Sequence, residues 1–170
     1  CVAFGSAGVE APLWPAIFHS VSAFCTAGFS VFPSGLEPFR GDFAVNAIIS
    51  CLSLAGAIGF IVLSDVWIAV SKRNYSLTLT AKIILFASFG GIAVGTLVLL
   101  FDPSIRSLAF GERALAAFFQ AMTALTTVGF NTHPIGSLST AFVVVVMVLM
   151  ILGASPSGTG GGLKSTSWSA

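Results

Sequence analysis

Apolar residues run along this chain in blocks, with few polar interruptions inside each block. Two blocks are long enough to cross a bilayer: "FAVNAIISCLSLAGAIGFIVLSDVWIAV" at 43–70 and "AKIILFASFGGIAVGTLVLLF" at 81–101. A helix needs about 20 such residues to span the hydrocarbon core. Each is expected to form one spanning helix. Their glycines, Gly56, Gly59, Gly90, Gly91 and Gly95, are expected to let helix backbones approach closely in lipid. Two shorter apolar runs, 13–24 and 114–125, have the length of re-entrant segments. A third, "STAFVVVVMVLMIL" (139–152), stops at Gly153 and gives way to "GASPSGTGGGLKSTS".

Composition agrees with this pattern. The 170 residues are 56% hydrophobic and 8% charged, against roughly 25% charged in soluble domains, and the mean hydropathy is +1.01. A net charge of +1 without a long basic run excludes a nucleic-acid partner. Cys1, Cys25 and Cys51 match no disulfide or zinc spacing and are expected to be apolar fillers of a membrane interior. The chain does not begin with Met and lacks a basic leader, so an internal piece of a longer protein is expected. The loop 71–80 with Lys82 gathers three basic residues and no acid, and this basic density leans it towards the cytoplasm against the three arginines of the other connections, Arg40, Arg106 and Arg113, each near an acid. Both short glycine motifs then lie on the external side.

The chain repeats. Shifted by 101 residues, "AIFHSVSAFCTAGFSVFP" (16–33) lies over "AFFQAMTALTTVGFNTHP" (117–134) without a gap. Ala16/Ala117, Phe18/Phe119, Ala23/Ala124, Thr26/Thr127, Gly28/Gly129, Phe29/Phe130 and Pro33/Pro134 are identical. Each repeat follows a short helical segment with a small, hydroxyl- and glycine-bearing motif, "FCTAGF" or "LTTVGF". Non-helical backbone at membrane depth strands carbonyls, which is tolerated only inside protein or along a wet path. Such carbonyls can replace the hydration shell of a cation. Thr127-Val128-Gly129-Phe130 resembles the Thr-Val-Gly-Tyr core of potassium-channel filters, with Asn131 (Ser30 in the first repeat) where channels carry a second glycine.

The phrase at 153–167 is expected to be a plug. Its small and breaker residues cannot hold a helix in lipid, so they face a cavity or packed protein. Lys164 at depth would cost about 2.5–3.5 kcal/mol and must reach water or a partner. A phosphate loop is excluded because Leu163 separates Gly162 from Lys164. A hydrolase site at Ser155 is excluded because no G-x-S-x-G centres on it and His19 and His133 lie at the external ends. An enzyme is not expected, because the apolar blocks hold almost no titratable groups apart from Asp65. A tandem-pore potassium channel is the alternative transport reading. A membrane-embedded enzyme or a structural subunit is the alternative from another class.

With both motifs and the glycine-rich phrase in this order, the chain resembles the Trk/Ktr/HKT potassium transporters, and its "Ser-Pro" and "Lys-Ser-Thr-Ser" leans towards their bacterial Ktr branch. The resemblance implies an all-α integral membrane fold of repeated helix–pore-loop–helix units, two of an expected four, with re-entrant pore helices. The second unit would occupy 1–70, with its leading helix truncated, a pore helix at about 13–24, a filter at 25–29 and a spanning helix at 43–70. The third would occupy 81–170, with a spanning helix at 81–101, a pore helix at about 112–125, a filter at 126–130, a broken helix at 138–152 and a gating loop at 153–165. Cys25, Thr26, Ala27, Gly28, Thr126, Thr127, Val128 and Gly129 would form the ion path for K+. Gly158, Gly160, Gly161, Gly162 and Lys164 would belong to the gate. The resemblance further implies K+ as the transported ion, no organic cofactor in this chain, a homodimer, a cytoplasmic nucleotide-binding regulatory subunit, and a multi-pass place in a bacterial inner membrane.

Overall fold

The structure, a computed structural model, describes residues 2–72 and 75–163. Seven α-helices and three short 3₁₀ turns make up the regular structure among these residues. In chain order the helices are α1 (Val2–Ser6), α2 (Leu13–Phe24), α3 (Phe43–Ile58), α4 (Phe60–Ser71), α5 (Leu79–Leu99), α6 (Phe110–Thr126) and α7 (Thr140–Leu152). Lys164, the last of the expected gate residues, lies outside the described residues.

Helix α5 has 21 residues, which at 1.5 Å per residue is about 31 Å, one bilayer core. It starts where the Thr78 hydroxyl accepts from the Ala81 backbone N–H, an N-cap that satisfies one of the orphan donors of the first turn. Helix α6 is the centre of the molecule, packed against α3, α5 and α7, while α2 packs on α3. Phe119, Ala121 and Met122 of α6 are wholly buried. Gly91 and Gly95 of α5 give room to the side chains of Leu125 and Leu149. The expected backbone-to-backbone approach at these two glycines is thus an approach of side chain to backbone, and Gly90 faces open space.

The expected single helix over 43–70 is broken. α3 and α4 meet at Gly59 with a bend of 104°. Gly59 takes φ 85° and ψ 161°, a region that a β-carbon disfavours, and a Cβ there would overlap the Ser157 carbonyl. The break strands the last carbonyls of α3, which have no partner within the helix. The chain at 155–159 supplies one for each of three. Thr159 N–H donates to Gly56 O at 3.0 Å, Ser155 N–H to Ala57 O at 3.2 Å and the Ser157 hydroxyl to Ile58 O at 3.4 Å. A continuous apolar run therefore ends early because a segment a hundred residues away completes its hydrogen bonding.

The cysteine expectation also changes. Cys25 and Cys51 are free and exposed on this chain rather than filling its interior, and Cys1 lies outside the described residues. Asp65 of α4 is buried and accepts hydrogen bonds from the Tyr75 hydroxyl and from the backbone N–H and hydroxyl of Thr78. It thereby ties the middle of α4 to the start of α5.

Gly59→Ala is expected to lower the thermal unfolding midpoint of the purified protein by several degrees, through φ strain and overlap with Ser157. Gly90→Ala, in open space on α5, is expected to leave the midpoint unchanged or slightly raised. Equal midpoints for the two variants would refute the account of the break.

Candidate functional site

The two glycine motifs have the same backbone. Helices α2 and α6 each end one residue or two before a threonine in the left-handed region, Thr26 at φ 50° and Thr127 at φ 55°. Each threonine N–H donates to an alanine carbonyl three residues back, Ala23 O and Ala124 O, both at 3.1 Å. Two residues later a glycine takes positive φ again, 69° at Gly28 and 87° at Gly129. Positive φ at every second residue turns the chain out of both helix and strand. Non-glycine residues seldom hold positive φ, so a threonine there in both repeats marks a backbone set by its surroundings.

The motifs lie side by side. A Cβ on Gly28 would overlap the Val128 carbonyl oxygen, whereas one on Gly129 meets nothing within 4 Å. Above them is a polar hollow of about 280 Å³ lined by residues that include Gly28, Ser30, Glu37, Gly129 and Asn131. Near this end His133 is buried, with its Nε2 within 3.0 Å of the Ser137 hydroxyl. Burial holds its pKa below the usual imidazole value and the charge of Arg40 adds to this, while Asp102 and Glu37 oppose it.

The glycine-rich loop 153–163 lies against the motifs at their two threonines. It leaves α7 at Gly153, φ 62°. The Gly161 N–H donates to the Thr127 hydroxyl at 2.6 Å, and the Thr159 hydroxyl contacts Phe24 O at 3.2 Å and the Thr26 hydroxyl at 3.0 Å. A Cβ on Gly160 would come within 2.7 Å of the Thr126 carbonyl, and one on Gly158 would overlap the Ala57 carbonyl. Residues 158 and 160 therefore suit glycine because the loop lies directly against two other stretches of main chain, whereas a Cβ on Gly161 would meet only the Thr127 side chain, at 3.3 Å.

Of the residues singled out in the sequence, Thr26, Gly28, Thr126, Thr127, Val128, Gly129, Gly158, Gly160 and Gly161 come together here. Gly162, at φ 83°, lies instead against Gly153 and the Met150 carbonyl at the root of the loop. Cys25 and Ala27 belong to the first motif, where the Ala27 N–H donates back to Ser22 O at 2.8 Å. Sequence reasoning did not single out Thr159, which touches both α2 and the first motif. Gly56 was missed as a contact of the loop, since both residues read simply as small.

Comparison with known proteins assigns the chain to a family. The sequence profile of the TrkH family, described as cation transport proteins, matches residues 3–169. The chain belongs to that family. It is 35% identical over 162 residues to the Ktr system potassium uptake protein B of Vibrio alginolyticus, covering 92% of this chain and 35% of that protein. It is 34% identical over 166 residues to the Ktr system potassium uptake protein B of Bacillus subtilis (strain 168), covering 95% of this chain and 37% of that protein. The crystal structure of the potassium transporter TrkH from Vibrio parahaemolyticus superposes with a TM-score of 0.75 at 25% identity, over 97% of this chain and 35% of that one. The chain thus spans about a third of the length of these TrkH-family relatives, and it is a multi-pass membrane segment with their all-helical fold.

The steric difference between the two glycines has a measurable consequence. Gly28→Ala is expected to lower accumulation and thermal stability of the full-length protein more than Gly129→Ala, because both lose the freedom of positive φ but only the first drives a methyl group into a carbonyl. A Gly129→Ala protein less stable than Gly28→Ala would contradict the contact between the motifs.

Proposed function

We propose that the two glycine motifs form half of a cation-selective path for potassium uptake, with the loop 153–163 as its gate. The observation that carries this reading is the matched backbone of the two motifs, set side by side and stopped at one end by a loop that bonds to both threonines. The backbone carbonyls of Cys25, Thr26, Ala27 and Gly28, with those of Thr126, Thr127, Val128 and Gly129, take the place of water around the ion. One glycine per motif gives a shorter filter than that of a potassium channel. K+ is the cargo, moving down its electrochemical gradient, and no organic cofactor in this chain is needed.

The lower end suits a gate. Loop 153–163 holds its place by single hydrogen bonds to carbonyls and hydroxyls, each worth about 0.5–1.5 kcal/mol net, and it can give them up to water without unfolding a helix. The remainder of the protein completes the ring. Phe29 is 70% exposed where its repeat partner Phe130 is 2% exposed, so the first motif has an uncovered flank for further units. A homodimer, with a cytoplasmic nucleotide-binding regulatory subunit acting near the 71–80 loop, completes the proposal.

In the full-length protein reconstituted in liposomes, Gly129→Ser is expected to lower discrimination of K+ over Na+, because a side chain at φ 87° re-aims the carbonyls. Unchanged discrimination would sink the assignment of the filter. Deleting 157–162 is expected to raise basal flux. Basal and regulated fluxes equal to the parent's would remove the gate from this loop.

A further inference from the structure

Each pore-loop helix carries a polar side chain at the same place in the repeat: His19 on α2 and Gln120 on α6, 101 residues apart. Both point at the segment that follows the glycine motif. His19 is wholly buried. Its Nδ1 lies 2.7 Å from Pro15 O and its Nε2 lies 2.9 Å from the Ser30 hydroxyl. A carbonyl can only accept, so Nδ1 carries the proton and Nε2 of the neutral ring accepts from Ser30. The Ser30 oxygen in turn accepts from the Phe32 N–H at 3.0 Å. The result is a relay of donors, Phe32 N–H to Ser30 to His19 to Pro15, that spans from the outer end of the first motif back to the start of α2.

The ring of His19 also reaches the other motif. It stacks on Phe32 at 5.0 Å between centroids and lies 6.0 Å from Phe130, the residue after Gly129. One turn along α2, the Ser22 hydroxyl donates to Phe29 O at 2.9 Å. On α6, Gln120 Nε2 donates to His133 O at 2.9 Å. Different side chains therefore do the same work: each fixes the outer end of its motif to its own helix.

We propose that His19 and Gln120 are positioning residues that set the ion discrimination of the path by holding the segments after Gly28 and Gly129, with His19 the stronger brace because it alone contacts both motifs. This rests on the reading of the motifs as the filter. The second brace is the less complete one. Gln120 Oε1, Thr123 Oγ1 and Asn131 Oδ1 are buried without a hydrogen-bond partner among the described residues. Replacing Gln120 by an apolar residue removes a bond but also removes a buried acceptor that lacks one, so its cost is partly offset.

The test measures K+ and Na+ uptake by the full-length protein in proteoliposomes for the parent, His19→Phe, His19→Gln, Ser30→Ala and Gln120→Met. His19→Phe keeps a ring against Phe32 and Phe130 but accepts no hydrogen bond. Its K+/Na+ ratio is expected to fall roughly fivefold, the ratio that one net hydrogen bond represents. His19→Gln, with the amide used by the second repeat, is expected to recover most of that ratio, although it has no ring. Ser30→Ala is expected to match His19→Phe and serves in its place if His19→Phe does not accumulate. Gln120→Met is expected to lose less. A parental ratio in His19→Phe or in Ser30→Ala overturns the proposal, as does a His19→Gln ratio no better than that of His19→Phe. A parent that itself fails to prefer K+ removes the filter reading and the brace with it. A discriminating parent with equally discriminating variants removes the brace alone.

Discussion

Everything in this molecule depends on finding partners for carbonyls at helix ends that lie within the membrane. Water is absent there, so each broken or short helix must hand its last carbonyls to another part of the protein. Loop 153–163 meets that requirement for three helices at once. It donates to Gly56, Ala57 and Ile58 at the end of α3, to Phe24 at the end of α2, and through the Leu163 N–H to Ile151 at the end of α7. The same loop donates to Thr127 beside the second motif. The loop is thus a shared cap, and the gate proposed for it would uncap three helices on moving. Such a movement is tolerated only where the uncapped ends meet water, a condition that the proposed path would supply.

The motifs answer the same constraint in the opposite way. Their carbonyls are neither capped by a helix nor paired in a sheet. Positive φ at Thr26, Gly28, Thr127 and Gly129 takes both motifs out of helix and strand pairing, and in the proposed path their carbonyls face a cation, with the Cys25 carbonyl also accepting from the Thr26 hydroxyl at 2.8 Å. Conformational strain at these residues has to be held by packing around them. In the second repeat Val128 and Phe130 are buried in the core cluster that also holds much of α6, while the first repeat has side-chain bonds from His19 and Ser22. The near-symmetry of the sequence is therefore carried by unlike chemistry in its two halves.

Much of this was legible in the chain. The repeat at 101 residues, the span over α5, the short helices before each motif and the end of α7 at Gly153 follow from hydropathy and glycine placement. The break at Gly59 was not legible, because a glycine in an apolar run reads equally as a packing residue. Only Ser157, 98 residues further on, decides that it bends the helix. Thr159 was hidden for a similar reason. Within "GTGGG" it reads as one more small residue, and its contacts to Phe24 and Thr26 exist only after both repeats fold onto α3. His19 was visible as half of a repeat pair with Gln120, but a buried histidine on an apolar helix has no evident duty until Ser30 is placed against it. Local signals specify elements, and long-range hydrogen bonds specify where those elements stop.

The central claim is that carbonyls of the two motifs bind a potassium-like cation above the glycine-rich loop. The most direct measurement is anomalous diffraction from crystals of the full-length protein grown with Tl+ or Rb+ in place of K+. Anomalous peaks between the residues 25–28 and 126–129, on the side away from Gly160 and Gly161, are the result this account predicts. Well-ordered motifs with no peak there, or peaks confined to another part of the protein, would contradict it.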